Sequence, residues 1–169
     1  MKKTFHALTL STLFLMVAIS SHAEEKKYED IRKHKSCKLC GMSRETYSYS
    51  RILLVYNNGT STGTCSLRCA ALDLALNMGR RTDSIMVADY NSRKLIDAEK
   101  AYWVIGGSKQ GTMSSRGKWA FTGKDEARRF MAKNGGTPGT FHDALKASFE
   151  DLYSDLKLFM EESAKLPKD

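Results

Sequence analysis

The chain has 169 residues, of which 41% are hydrophobic and 27% are charged, and it contains twelve glycines, two prolines and four cysteines. This composition is typical of globular proteins and excludes a collagen-like or wholly disordered chain. The formal charge of +8, taken alone, favours nucleic acid or an anionic membrane as the partner.

The first 23 residues have the pattern of a cleaved secretory signal peptide. Two lysines precede an apolar or small run at residues 7–19, and Ser-His-Ala at residues 21–23 supplies small residues at the −3 and −1 positions of a cleavage site. The run is shorter than the roughly twenty residues that span a bilayer, so an uncleaved anchor is the less favoured alternative. No cysteine lies near the cleavage point, so a lipobox is missing. We expect a mature periplasmic or extracellular protein that begins at Glu24, without stable membrane insertion.

Cleavage at this point lowers the net charge. Residues 1–23 contain two lysines and no acidic residue, so the formal charge falls from +8 to +6. The densest basic run, residues 32–38, has no interleaved aromatic residue and no recognition-helix pattern. We interpret the excess as a solvated face, with attraction for an acidic protein partner as the alternative. We expect no nucleic acid partner for an exported protein.

The first half of the mature chain predicts a strand–strand–helix (ββα) unit. Residues 48–56 are rich in β-branched, aromatic and aliphatic side chains, an Asn-Asn-Gly turn follows, and residues 60–64 form the return strand. Residues 66–78 have apolar side chains at helical spacing, and residues 85–90 predict a further strand. We assign residues 24–92 to this unit.

The pattern recurs in the second half of the chain. Residues 101–105 and 118–121 predict two strands, which a polar, glycine-rich loop separates. Thr122 and Asp125 give a capping signal for the helix that follows. We assign residues 93–142 to this second unit. The order of elements predicts an α+β fold with two ββα-type units, small antiparallel or mixed sheets and a C-terminal helix.

Residues 143–169 are assigned to that amphipathic C-terminal helix. Its apolar stripe consists of Leu145, Phe149, Leu152, Leu156 and Met160. Thr140 and Asp143 supply its capping signal. We expect the stripe to pack on the rest of the molecule. A dimer seam is the alternative, and the oligomeric state is left open.

The four cysteines form two close pairs, Cys37 with Cys40 and Cys65 with Cys69. In a C-x-x-C sequence the two sulfurs can converge on one ion while the backbone turns under them. The second pair lies four residues apart around the first turn of a predicted helix, where the helix dipole favours the thiolate. The thiolate is the form that binds metal or attacks disulfides, so both spacings suit a metal site.

Three interpretations of these cysteines compete. In an oxidising compartment, structural disulfides are the simplest, and a structural zinc site of four thiolates is the second. The third is a soft-metal site, because Met42 follows the C-x-x-C-G sequence directly and Met113 lies in the polar glycine-rich loop. Core packing does not explain a methionine in such a loop. Thioether and thiolate ligands together select Cu(I).

Catalysis has little support in the sequence. A thioredoxin-like C-x-x-C opens a helix after a strand and faces a cis-proline, whereas this pair precedes the first predicted strand. Pro138 and Pro167 are badly placed for that role. No G-x-S-x-G, Walker, H-E-x-x-H or paired-carboxylate pattern occurs. We therefore expect that the protein is not an enzyme, with a periplasmic thiol–disulfide oxidoreductase as the alternative.

Several of these motifs follow one another in a characteristic order. The first half contains Cys37-Lys-Leu-Cys40-Gly41-Met42, a strand, an Asn-Gly turn and Cys65-Ser-Leu-Arg-Cys69. The second half contains Ala-Tyr-Trp-Val-Ile-Gly-Gly at residues 101–107, Met113, Ala120-Phe121 and Gly135-Gly136. This order resembles the NosL family, accessory copper proteins associated with nitrous oxide reductase. The resemblance covers about residues 36–146.

The resemblance implies a periplasmic metallochaperone of two ββα-type units, similar in topology to part of alkylmercury lyase. Such a protein holds Cu(I) and delivers it to a copper enzyme such as nitrous oxide reductase, or to the assembly machinery of that enzyme. The resemblance implies Met113 and the Cys37/Cys40 pair as the leading ligands, followed by Met42 and the Cys65/Cys69 pair. Family members are commonly lipoproteins, and the missing lipobox departs from that pattern. A disulfide-stapled or zinc-binding interaction domain is the remaining alternative.

Overall fold

The computed structural model describes residues 28–165, and the predicted signal peptide, residues 1–23, lies outside the described residues. The fold is α+β, with two small antiparallel sheets and a long C-terminal helix, which confirms the predicted fold class. Within the described range, no helix combines the length and the apolar character that crossing a membrane requires.

The helices, in chain order, are α1 (Glu29–Lys33), α2 (Leu67–Leu76), α3 (Lys124–Asn134) and α4 (Phe141–Ser163). The strands are β1 (Ile52–Tyr56), β2 (Ser61–Thr64), β3 (Thr82–Ala88), β4 (Leu95–Asp97), β5 (Tyr102–Ile105), β6 (Lys118–Phe121) and β7 (Thr137–Gly139). The sequence patterns do not predict α1, β4 or β7. Each has five residues or fewer, so it is too short to show a hydrophobic period.

The first sheet has the strand order β2-β1-β3-β4. β1 and β2 form the hairpin that the Asn-Asn-Gly turn predicts, and Gly59 has the positive φ, 77°, that such a turn favours. β1 is shorter than predicted because residues 44–50 form turns. Its alternate residues Ile52, Leu54 and Tyr56 are buried, and β4 extends this sheet to residue 97 by pairing with β3.

The second sheet has the strand order β6-β5-β7. β5 and β6 agree closely with the predicted strands, and β7 pairs with the other side of β5. α3 follows β6, but its cap is Gly123 and not Thr122, because the Gly123 N–H donates to the Glu126 carboxylate over 3.1 Å. Thr122 instead contacts the carboxylate of Asp89 through its own N–H and hydroxyl.

One hydrophobic core connects the two sheets. It contains Leu54 from β1, Leu67 from α2, Trp103 from β5 and Phe141 from α4. α4 begins at the predicted capping box, in which the Asp143 N–H donates to the Thr140 hydroxyl. The division of the chain at residues 92 and 142 stays a prediction.

The C-terminal half of α4 leaves its apolar stripe exposed. Leu145 packs against the core, but Phe149, Leu156 and Met160 are 41%, 56% and 62% exposed. The expectation that the whole stripe packs on the molecule is therefore wrong for this half. α4 has 23 residues and the helix beside it, α2, has 10, so the far end of α4 has little to pack against.

Candidate metal centre

The four cysteines, which lie in two separate parts of the sequence, meet at one point. Their Sγ atoms all lie within 4.8 Å of one another. Cys40 Sγ is 3.5 Å from Cys65 Sγ and 3.8 Å from Cys69 Sγ, and the last two are 3.9 Å apart. A disulfide bond is about 2.05 Å long, so all four are free thiols. Sulfurs bound at about 2.3 Å to one tetrahedral ion lie about 3.8 Å apart, so the observed separations fit a single-metal site.

A small hairpin, residues 36–43, positions the first pair, and we call it the C-x-x-C hairpin. Ser36 and Ser43 close it as an antiparallel bridge. The Cys37 N–H donates to the Met42 carbonyl over 2.8 Å, and the Gly41 N–H donates to the Cys37 carbonyl over 3.0 Å. Gly41 has a φ of 76°, which a residue with a side chain would adopt only with backbone strain. The glycine after the second cysteine therefore lets the backbone turn beneath both sulfurs.

The start of α2 positions the second pair. Cys65 lies between β2 and the helix cap, Ser66, whose hydroxyl accepts a hydrogen bond from the Cys69 N–H. Cys69 is therefore in the first helical turn, as the spacing predicted. Both sulfurs lie near the positive end of the α2 dipole, which stabilises negative charge on them.

Three of the thiols are buried and one reaches the surface. Cys37, Cys65 and Cys69 are at most 3% exposed, whereas Cys40 is partly exposed. Hydrogen bonds from Cys65 and Cys69 lower the pKa of Cys37 well below its usual value, although burial opposes this. The same bonds to Cys37 raise the pKa of Cys65, and they raise the pKa of Cys69 to about 12. A metal ion that binds all four sulfurs must displace the protons that these thiols carry.

A buried ion network supports the site. The guanidinium groups of Arg44 and Arg51 lie 2.7 and 2.9 Å from the Asp30 carboxylate, and neither arginine side chain is exposed. Arg44 also donates to the carbonyl of Thr64, the residue before Cys65, over 3.2 Å. The two guanidinium groups and the carboxylate together carry one net positive charge. A thiolate at Cys37 attracts the charge of the Arg44 guanidinium. The network therefore fixes the backbone around the site and balances thiolate charge.

Apolar side chains close the cysteine cluster on one side. Met42, Leu39 and Tyr47 pack against it. The structure thus brings Met42 to the four sulfurs, as its place after the C-x-x-C-G sequence suggested. Leu39 occupies a variable position of the C-x-x-C sequence and Tyr47 belongs to no motif, so the sequence patterns do not single them out.

Met113 lies in a loop that hydrogen bonds anchor to the site. The Ser50 hydroxyl donates to the Cys65 carbonyl over 2.8 Å and shares another 2.8 Å hydrogen bond with the Thr112 hydroxyl. Met113 is the next residue after Thr112, and it is 39% exposed. Its φ is 61°, which residues other than glycine rarely adopt. The structure therefore places the loop beside Cys65, and coordination by the Met113 thioether stays a prediction.

Comparison with known proteins gives a family match and two structural likenesses. The NosL family model matches residues 28–149. The crystal structure of the copper chaperone NosL from Shewanella denitrificans is similar, with a TM-score of 0.52 and 24% identity over 64% of this chain and 88% of that chain. The solution NMR structure of apo-NosL from Achromobacter cycloclastes has a TM-score of 0.39 and 20% identity, over 54% of this chain and 82% of that chain. No curated protein sequence matches the chain.

Proposed function

The chain belongs to the NosL family, and from this premise we propose that it is a periplasmic Cu(I) metallochaperone and not an enzyme. Its cargo would pass to a copper enzyme such as nitrous oxide reductase, or to the assembly machinery of that enzyme. The observation that carries the proposal is the cluster of four free thiols, with three buried sulfurs and one partly exposed. A carrier needs this combination, since buried ligands retain the ion and an accessible ligand lets it leave.

The donor set matches the proposed cargo. Thiolates and thioethers are soft ligands, and Cu(I) is a soft ion that they select. We assign the four cysteines as the ligand set, with the thioethers of Met42 and Met113 as additional donors. The positive ion network under the C-x-x-C hairpin favours binding, because a Cu(I) ion with two or more thiolates carries net negative charge.

A structural zinc site is the second candidate, because the separations between the sulfurs also fit four thiolates around Zn²⁺. The two candidates predict different metal contents. Protein isolated from the periplasm in the presence of a reductant would contain copper if it is a carrier. It would contain stoichiometric zinc if the site is structural. X-ray absorption at the copper and zinc edges measures which metal the sulfurs coordinate and so distinguishes the carrier from the structural zinc site.

Competition against a chromophoric Cu(I) chelator tests the carrier. We expect the reduced protein to retain copper against a weak competitor, and Cys65→Ser to weaken retention at least tenfold, about 1.4 kcal/mol. Ser36→Ala is the matched control, since Ser36 lies in the same hairpin and offers no thiol. Loss of copper from the unmodified protein to a weak competitor would refute the carrier.

Two substitutions of Met113 test its assignment as a ligand. Met113→Ala and Met113→Gly should both weaken Cu(I) retention, because each removes the thioether. Met113→Gly should also raise the free energy of unfolding by about 1 kcal/mol relative to Met113→Ala, since glycine adopts a φ of 61° without strain. Unfolding in urea measures the second effect. If both variants unfold more easily and retain copper normally, Met113 is a structural residue.

The oxidoreductase alternative has its own test. It predicts turnover in disulfide reduction that Cys37→Ser removes. The C-x-x-C pair lies in a hairpin and does not open a helix, so its sulfurs lack the arrangement typical of a thioredoxin-like site. We expect no such turnover from the reduced protein.

A further inference from the structure

We propose that the tip of the C-x-x-C hairpin, residues 38–41, is the docking surface for a copper-accepting protein whose own copper site is surrounded by acidic residues. This inference rests on the proposed copper-carrier function and adds the chemistry of the partner. It is carried by the exposure of one thiol and by the charge around it.

Cys40 marks the side from which the cysteine cluster can be approached. Cys40 is partly exposed and lies at the hairpin tip, while the other three sulfurs are buried behind it. Gly41, next to it, is exposed and has no side chain to shield the sulfur. An acceptor that takes the ion by ligand exchange must therefore contact the tip.

The chain segment that carries the tip is basic. Lys33, Lys35 and Lys38 are exposed, and none forms an ion pair within the described part of the chain. Residues 31–44 contain no acidic residue. Asp30 is buried against two arginines, so its charge is neutralised locally.

Exposed acids flank this basic segment at its ends. Glu29 precedes it and Glu45 follows it, and both are exposed. Between them the exposed charge has one sign, and a carboxylate-bearing surface complements it.

Three apolar side chains beside the cysteine cluster are available for contact with a partner. Leu39, Met42 and Tyr47 are half-buried, so each presents part of its side chain to a partner and packs the rest against the sulfurs. A docking surface with an apolar centre and a charged rim is the usual composition of protein interfaces. Here the rim gives orientation and the apolar centre excludes water from the exchanging ion.

The transfer itself is a ligand exchange without redox change. A thiolate of the acceptor forms a bond to Cu(I) while the bond from copper to Cys40 Sγ breaks. The proton that the acceptor thiol loses is taken up by the released Cys40 thiolate. Copper remains Cu(I) throughout, and the buried sulfurs release it in the same way in turn.

Two synthetic acceptor peptides test the charge of the partner. Both contain the same C-x-x-C core, which is flanked by glutamates in one and by lysines in the other. We expect the copper-loaded protein to transfer Cu(I) to the acidic peptide at least tenfold faster at low salt. The difference should largely disappear at about 0.5 M salt, because salt screens the attraction between exposed charges.

Charge-reversed variants locate the surface. The double variant Lys35→Glu with Lys38→Glu should invert the preference, so that the basic peptide becomes the faster acceptor. The double variant Lys124→Glu with Lys133→Glu makes the same change in total charge on α3 and should keep the preference. Equal transfer to both peptides, or inversion by the α3 variant as well, would overturn the proposal.

Chelator competition on the same samples separates this proposal from the proposed function. Both double variants should retain Cu(I) as the unmodified protein does, since neither changes a sulfur ligand. Retained copper together with indifference to peptide charge would refute the docking surface alone. Failure of the unmodified protein to retain copper would refute the carrier, and the docking surface with it.

Discussion

At the scale of single residues, Asp30 holds together the framework of the metal site. Its carboxylate lies between the buried guanidinium groups of Arg44 and Arg51. Burial raises the pKa of Asp30, but the hydrogen bonds and charges of Arg51 and Arg44 outweigh it and lower this pKa below its usual value. The unfolded chain binds this proton more tightly, so Asp30 stabilises the fold at neutral pH. That contribution decreases as the pH falls below about 4.

We therefore predict that Asp30→Asn lowers the free energy of unfolding by about 3–5 kcal/mol at neutral pH, because it removes a buried carboxylate that pairs with two buried arginines. Urea titrations between neutral pH and about pH 3 measure both the loss and its pH dependence, and the difference from the unmodified protein should shrink as the pH falls. Glu161→Gln is the control, since its exposed pair with Lys157 contributes less than about 0.5 kcal/mol. A loss no larger than that of the control would show that the network does not stabilise the fold.

The sequence patterns singled out the four cysteines that meet in the structure, but not the residues that hold them in place. Cysteines and a loop methionine are rare enough for their spacing to carry information. Arg44 carries no recognisable motif and lies outside the basic run at residues 32–38, yet it is fully buried. Its anion, Asp30, lies 14 residues away in a helix without a hydrophobic period. Ser50 and Thr112, which connect the loop of Met113 to Cys65, are 62 residues apart, so no local pattern predicts their contact.

At the scale of elements, prediction succeeded where a hydrophobic period or a turn signal was long enough. β5, β6 and the capping box of α4 agree closely with their patterns, and the Asn-Asn-Gly turn forms the predicted hairpin. β1 begins later than its pattern suggested, because residues 44–50 turn so that Arg44 and Arg51 can reach one carboxylate. Tertiary contacts between charged groups thus override a local preference for strand.

The second prediction concerns Gly63, the residue at which β2 lies against Arg44 of the ion network. A Cβ atom at Gly63 would lie 2.6 Å from His34 Cβ and 2.7 Å from Arg44 Cζ. Gly63→Ala must therefore displace the guanidinium of Arg44, and we expect it to lower the free energy of unfolding by about 1–3 kcal/mol. It should also weaken Cu(I) retention, because Arg44 is bonded to the residue before Cys65.

Gly79→Ala is the matched control for this prediction. Gly79 has nothing within 4 Å of an added Cβ, and its φ is not positive. We expect its unfolding in urea and its copper retention to equal those of the unmodified protein. Equal behaviour of the two alanine variants would mean that β2 can move away from Arg44 at no cost.

At the scale of the whole molecule, composition and motif order predicted the fold class and the family, but not which surface of α4 is covered. The apolar stripe of α4 was correctly placed on a helix, and burial of a stripe depends on the size of the elements beside it. α2 offers only 10 residues against the 23 of α4. The pattern of a single helix does not show how long the neighbouring helix is, so the exposure of this half of α4 is apparent only in the assembled fold.

The metal site also joins distant parts of the molecule, and this gives the last prediction. The C-x-x-C hairpin and the start of α2 contribute two sulfurs each, and the unfolded chain does not hold the four together. Free Cu(I) at about a thousand times its dissociation constant should therefore stabilise the reduced protein by about 4 kcal/mol. In a domain of this size that corresponds to a rise in Tm of about 10 °C. Thermal unfolding with buffered Cu(I) measures it, and Cys65→Ser should show a much smaller rise. A larger rise with Zn²⁺ than with Cu(I) would favour the structural zinc site, and no rise with either ion would exclude a metal that couples the two segments.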